Sequence, residues 1–217
     1  MDICVFNELE DIWNKHQNNL KDDSVFKRKF VFARPQKSKI LITGINPSDN
    51  GDCIHSFTYE TAKHAYFTKL RKIETDAAYL DLFYVRGEQR IISTLLNSDI
   101  GLPFMLDQLK LTQRIIEDIV MPKLILVFNK ESWGFWGYYA KESIIWMGYD
   151  LELVEEMNYG NLMRIKGFVN HPDRISDRTQ TNLKGSLIYF SKYMNRSSDD
   201  DFANVNKEVM KLKNACC

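Results

Sequence analysis

Apolar and polar positions along the chain follow two periods. Residues 3–20 carry Phe6, Leu9, Ile12 and Trp13 at three- and four-residue steps, which predicts an amphipathic helix with Asp2 as its cap. The stretch KDDSVFKRKFVFARPQKSK is charged, contains Pro35, and reads as a connector with room for one short strand. KILIT (39–43) is a continuous apolar run, the pattern of a buried parallel strand. TYETAKHAYFTKLRKI then places Ala62, Ala65, Tyr66, Leu70 and Ile73 on one side of a helix. YLDLFYV (79–85) reads as a second strand and KLILVF (123–128), entered through Pro122, as a third. Between them GLPFMLDQLKLTQRIIEDIV is a strong helix, with Met105, Leu109, Ile116 and Ile119 or Val120 facing inward.

Beyond the third strand, ESWGFWGYYA can begin another helix, and DLELVEEM is an edge strand or part of a loop. LMRIKGFV (162–169) reads as the last strand. SDRTQTNLKGSLIYFSKYMN then reads as a closing helix capped by Ser176 or Asp177. The acidic SSDDD (197–201) marks the end of the packed core, with a loose helix after it. Strands separated by helices argue for an α/β fold. The expected architecture is a three-layer sandwich with a central, mainly parallel four-stranded sheet flanked by helices. One domain spans 1–217, with its core at 37–195, the N-terminal helix at 3–20 and a C-terminal tail at 197–217.

The length of 217 residues suits one domain with a sizeable core. Lys plus Arg equals Asp plus Glu, 29 each, which argues against strong non-specific binding to nucleic acid but allows a local basic face. The four cysteines, Cys4, Cys53, Cys216 and Cys217, fit neither zinc nor iron–sulfur spacing, so no metal or cofactor is expected. Few cysteines and no signal peptide favour a reducing, cytoplasmic setting. The terminal Cys-Cys reads as a plain tail rather than a lipidation signal. No apolar run is long enough to span a membrane. The tryptophans Trp133, Trp136 and Trp146 read as packing.

In open α/β sheets, ligands bind beyond the carboxyl ends of the strands. The first strand ends in Gly44-Ile45-Asn46-Pro47-Ser48 and the last in Asn170-His171-Pro172-Asp173. Each carries an X-Pro step, which restrains the backbone. Asn46-Pro47 alone is a common turn, and a lone histidine after a strand often only caps or packs. Two such turns, at the ends of the first and last strands, point together to a site.

GINPS resembles the first motif of the uracil-DNA glycosylase superfamily, and NHPDRIS is similar to its second. SFTYETAKHAYFTKL is similar to the stretch that supplies a base-stacking Phe, and MPKLILVFNKESW resembles the third-strand segment. The resemblance covers roughly residues 37–195. It implies the fold of that family and a DNA glycosylase that hydrolyses the N-glycosidic bond of uracil or another modified base flipped out of DNA.

The roles it implies fall on particular residues. Asn46 would orient the attacking water through its side-chain carbonyl. His171 would donate an N–H to the leaving base. Phe57, Asp81 and Ile45 would surround the base. Ser48 and Ser176 would grip phosphates, Arg174 and Ile175 would fill the vacated stack, and Arg178 or Arg174 would offset Asp173. The implied partner is single- or double-stranded DNA, met by a monomer without a protein partner.

Asp81 stands where the family usually has Asn. An ionised carboxylate accepts hydrogen bonds and donates none, so it would repel the O4 of uracil. It would instead read a donor such as an exocyclic amine, stay protonated, or serve the structure. Two other readings stand beside the glycosylase: a glycosylase fold that binds nucleic acid or protein without catalysis, and an enzyme acting on free nucleosides or nucleotides. All of them place Asn46 and His171 on one crevice.

Overall fold

The first helix, α1 (Val5–His16), turns Val5, Leu9, Trp13 and His16 inward, as the apolar spacing requires. The computed structural model describes residues 4–18, 23–49, 55–88, 90–191 and 198–216; Asp2, Cys53 and Cys217 lie outside them. The connector holds a short helix, α2 (Asp23–Arg28), and a two-residue strand, β1 (Phe32–Ala33). Then come β2 (Ile40–Gly44), β3 (Ser56–Phe57), α3 (Ala65–Arg71) and β4 (Ala78–Asp81). Next are α4 (Arg90–Leu96) and α5 (Gly101–Ile115), whose last turn widens to a π-helical turn over Ile116–Val120. β5 (Leu124–Val127) follows, then 3-10 turns at Lys130–Trp136 and Ala140–Glu142 in place of the expected helix. The chain closes with β6 (Tyr149–Glu156), β7 (Gly160–Phe168), β8 (Leu187–Ser191) and α6 (Asp199–Cys216).

Among the described residues, the main sheet has six strands in the order β4-β2-β5-β8-β7-β6, not four. β4, β2, β5 and β8 run parallel, and β7 and β6 are antiparallel additions. Alternate residues of β2 and β5 face opposite layers. Leu41, Ile125 and Val127 pack on the side of α1, α4 and α5. Ile40, Ile42, Leu124 and Leu126 pack on the side of α3 and α6. The result is a mixed α/β architecture with helices on both faces of the sheet, and the parallel strands β2, β4 and β5 are buried on both faces, which explains the uninterrupted apolar runs. Trp133 and Trp136 are buried in the first of these layers, with Trp146 packed against it.

Two expectations about the C-terminal third are corrected. The stretch 176–191 is not a helix, and 192–195 lie outside the described residues. Glu117 holds Thr181 and Asn182 in a loop, Gly185 takes φ +88°, and Leu187–Ser191 becomes the fourth parallel strand. Its apolar, aromatic run fits a buried strand better than one face of a helix. The packed core also extends past residue 195, because α6 buries Val205, Val209 and Leu212 against the sheet. Among the described residues, no helix is long and apolar enough to cross a membrane.

Candidate functional site

The exits of β2, β4 and β5 frame a cavity of about 900 Å³. Its wall is built from Gly44–Ser48 after β2, Phe57 of β3, α3 with the turn before it, Asp81 of β4, Arg86, and Phe128 and Asn129 after β5. The strand-end rule thus places the pocket correctly.

Asn46 is held by the segment leaving β4. Its Nδ2 donates to the carbonyl oxygens of Gly87 at 2.9 Å, Val85 at 3.3 Å and Pro47 at 3.3 Å. The backbone around it is clamped too: Leu82 N donates to Gly44 O, Phe83 N to Ile45 O and Gly87 N to Pro47 O. The amide nitrogen is therefore committed to the fold, and no described residue donates to Oδ1. A pinned Asn with its acceptor unused, on the wall of a cavity, is suited to fixing a water or a ligand donor. Ile45 contributes to the wall but is 8% exposed, with its side chain in the core.

Asp81 stands opposite Gly44 in the β2–β4 register. It is 3% exposed, and its Oδ1 accepts from Tyr79 Oη at 2.8 Å. A Cβ at position 44 would collide with that oxygen and with the Tyr79 hydroxyl, so this pair requires glycine at the end of β2. Burial pushes the Asp81 carboxyl up to about 7, against the smaller opposing pull of the Tyr79 hydrogen bond. The same burial, and the nearby carboxyl, raise the Tyr79 phenol well above its usual value.

Phe57 is half-buried on the cavity wall, with its ring 5.1 Å from Phe67 and 6.3 Å from Tyr79. Tyr66 of α3 packs edge-on against Tyr79. His64 caps α3: its Nδ1 accepts from Tyr66 N at 3.2 Å, so the neutral ring carries its proton on Nε2. Asn129 turns its Oδ1 to Glu131 N and starts the 3-10 segment. Ser48 is exposed at the rim.

The second expected half of the site lies elsewhere. β7 is antiparallel to β8, with Gly160 beside Ser191 and Arg164 beside Leu187. The chain therefore leaves β7 at the end of the sheet where the parallel strands begin. His171 is on that side, away from Asn46, and does not line the cavity. Its Nδ1 accepts from Asp173 N at 3.2 Å, an ordinary turn cap.

The neighbours of His171 serve the same loop. Arg174 lies over the Phe168 ring at 4.9 Å and donates to Arg178 O. Ile175 is buried and donates its N–H to Trp146 O. Ser176 Oγ accepts from Arg178 N, and Arg178 pairs with Asp118. These residues meet one another but not Asn46, Phe57 or Asp81. The expectation that Asn46 and His171 share a crevice is thereby corrected. At the cavity end the fourth parallel strand is β8, and its continuation, 192–197, lies outside the described residues.

The sequence places His64 beside the possible pocket and Arg86 and Asn129 at the ends of their strands, and all three line the cavity; Tyr66 and Tyr79 join them without having been singled out as site residues. Tyr79 had a signal: two positions before Asp81 on a strand means the same face. Among the described residues, no cluster of three or more His, Cys, Asp or Glu is placed to hold a metal ion. Comparison with models of known protein families finds none that matches, and none of the curated proteins matches the chain in sequence.

Proposed function

We propose that this chain hydrolyses the N-glycosidic bond between a nucleobase and its sugar, with the base held in the cavity at the ends of β2, β4 and β5. The observation that carries this reading is the fixing of Asn46: three backbone carbonyls take its amide nitrogen, and no donor among the described residues reaches Oδ1. Such an acceptor can hold the water that attacks the anomeric carbon. Phe57 supplies a ring for stacking, and Asp81 a polar edge, on the walls of the same cavity. The uracil-DNA glycosylase-like stretches GINPS and SFTYETAKHAYFTKL, which contribute to the cavity wall, support DNA as the carrier of the base, with the product an abasic site and a free base. His171 has no part in this scheme, so stabilisation of the leaving base falls to donors of the cavity wall.

A second reading has its own support. Arg174 and Arg178 are committed to intramolecular partners at the far end of the sheet, and the chain has no net charge. That favours the same bond cleaved in a free nucleoside or nucleotide, which needs no phosphate track. One experiment separates the readings. Purified protein is incubated with oligonucleotides containing uracil, hypoxanthine and oxidised bases, and separately with the matching nucleosides, and free base is measured by chromatography. Base release from oligonucleotides alone supports the glycosylase, and release from nucleosides alone the second reading. No release from either, in a protein that still binds a base, leaves a binding module and rejects both catalytic forms.

A further inference from the structure

Asp81 presents an unusual problem for a cavity wall. It is a carboxyl at the floor of a pocket, 3% exposed, with about four acceptor positions when ionised. Among the described residues, one donor reaches it, the Tyr79 hydroxyl, and no ion pair includes it. A buried carboxyl without a cation or a full set of donors is costly to ionise. A protein that needed only a structural group here would do as well with a neutral side chain. Gly44 nonetheless gives up its side chain to make room for this carboxyl and its tyrosine. Among the described residues nothing else supplies the missing donors, and the open side of the carboxyl is the cavity.

Resting on the nucleobase reading above, we infer that Asp81 reads the base and selects an edge with two adjacent N–H donors, that of guanine, over the donor–acceptor edge of uracil. Guanine offers its ring N1–H and its exocyclic amine side by side, and a carboxylate accepts both at once. Hypoxanthine lacks the amine and offers one of the two. Uracil sets a carbonyl oxygen beside its N3–H, which faces an ionised carboxylate with a repulsive acceptor. The volume of about 900 Å³ accommodates a purine.

The position of the Asp81 proton then governs the choice. Burial holds the empty site's carboxyl at about 7. Two N–H donors favour the ionised form, so a guanine edge binds better as pH rises through that value. An acceptor on the ligand requires the protonated form, so a uracil edge binds better as pH falls through it. The other titratable or charged groups lining the cavity are Tyr66 and Lys69 of α3, Lys63 and His64 before it, Tyr79 beside Asp81, and Arg86. The Asp81→Asn variant assigns the effect to this carboxyl.

The test is calorimetric titration of the whole chain with 9-methylguanine, 9-methylhypoxanthine and 1-methyluracil, at pH 6 and pH 8. The methyl group stands in for the sugar. The expected result is 9-methylguanine ahead of 9-methylhypoxanthine by about tenfold or more at pH 8, with the margin smaller at pH 6. Asp81→Asn, which offers one donor and one acceptor, should reverse the preference towards 1-methyluracil and remove its pH dependence. Equal binding of the two purines, tighter uracil binding by the wild type at pH 8, or an unchanged preference in Asp81→Asn overturns the inference and leaves the nucleobase reading intact. No binding of any base at millimolar concentration overturns both. If Asp81→Asn does not fold, the wild-type pH series with the purine pair decides alone.

Discussion

Asn46-Pro47 leaves β2 at the end of the sheet where the cavity lies, while His171-Pro172 follows β7 at the other end. Both are polar X-Pro turns after an apolar strand. At the first, the side chain is clamped by backbone from another strand's exit, and an acceptor is left over. At the second, the side chain caps its own turn, and the arginines around it find partners within the chain. The first region is built from pieces brought together by parallel strands. The second is a loop tied down by one buried carboxylate. Strand direction alone separates them: reversing a single strand moves its exit across the whole sheet.

The sharpest way to separate the two ends is to cut the tie of the second. Glu117 is fully buried and accepts from Thr181 Oγ1 at 2.6 Å, Asn182 N at 2.7 Å and Tyr149 Oη at 2.9 Å, with Arg178 3.9 Å away. Glu117→Ala leaves those donors without their acceptor, and a loss of about 3–5 kcal/mol is expected in urea unfolding. Base binding per folded molecule should not change. A variant that keeps its stability removes the picture of a stapled loop. One that stays folded but loses base binding shows the two ends are coupled.

Asp81 carries the next effect, on pH and stability. Its carboxyl is raised from the ordinary value of 3.8 to about 7 by burial. Between those values the folded chain keeps a proton that the unfolded chain has lost. This group's contribution is therefore fully favourable below about pH 4 and declines as pH rises to 7, the reverse of a salt-bridged aspartate. Asp81→Asn removes the decline. The stability of the variant relative to wild type should rise from pH 4 to pH 8 by on the order of 4 kcal/mol. Parallel unfolding curves across that range check it, and a difference independent of pH would contradict it.

How much of this was legible depends on the range of the cause. β2, β5 and α5 were readable because burial on both faces, or on one helical side, leaves a local periodic trace. The position of Asn46, Phe57 and Asp81 near one pocket followed from strand order, since parallel strands share an exit side. β8 was not readable as a strand: Leu187-Ile188-Tyr189-Phe190 continues a stretch that also satisfies helical spacing, and what decides against it is distant, the pairing with β5 and the hold of Glu117 on Thr181 and Asn182 just before it. β7 was recognised as a strand but not for its direction, which the short turn to β6 dictates, because hairpins pair antiparallel. His171 was misplaced for that reason. The Gly44–Asp81–Tyr79 arrangement needed the register between two strands, which no single segment records.

Asn46 supplies the largest expected effect on activity. If it holds the attacking water, Asn46→Ala should lower the base-release rate by about a hundredfold or more, equivalent to roughly 2.7 kcal/mol. The variant also loses the clamps to Val85 and Gly87, so thermal unfolding should accompany the assay. Asn46→Asp keeps an acceptor but not the donor to those carbonyls. It should lose stability more than it loses the water. Equal rates for Asn46→Ala and wild type would end the water-holding role while leaving the cavity's ability to bind a base open to titration.

His171→Ala completes the comparison with the smallest effect. The imidazole side chain is 38% exposed and accepts one backbone hydrogen bond, from Asp173. Losing a cap of that kind at a partly exposed turn costs about 0.5–2 kcal/mol. Base release should stay within about twofold of wild type at every pH, because no step of the proposed reaction passes through this end of the sheet. The measurement is the same chromatographic assay, run beside Asn46→Ala. A fall in rate as large as that of Asn46→Ala would mean that the loop after β7 reaches the substrate in the working enzyme. The division of the molecule into a reacting end and a stapled end would then be wrong.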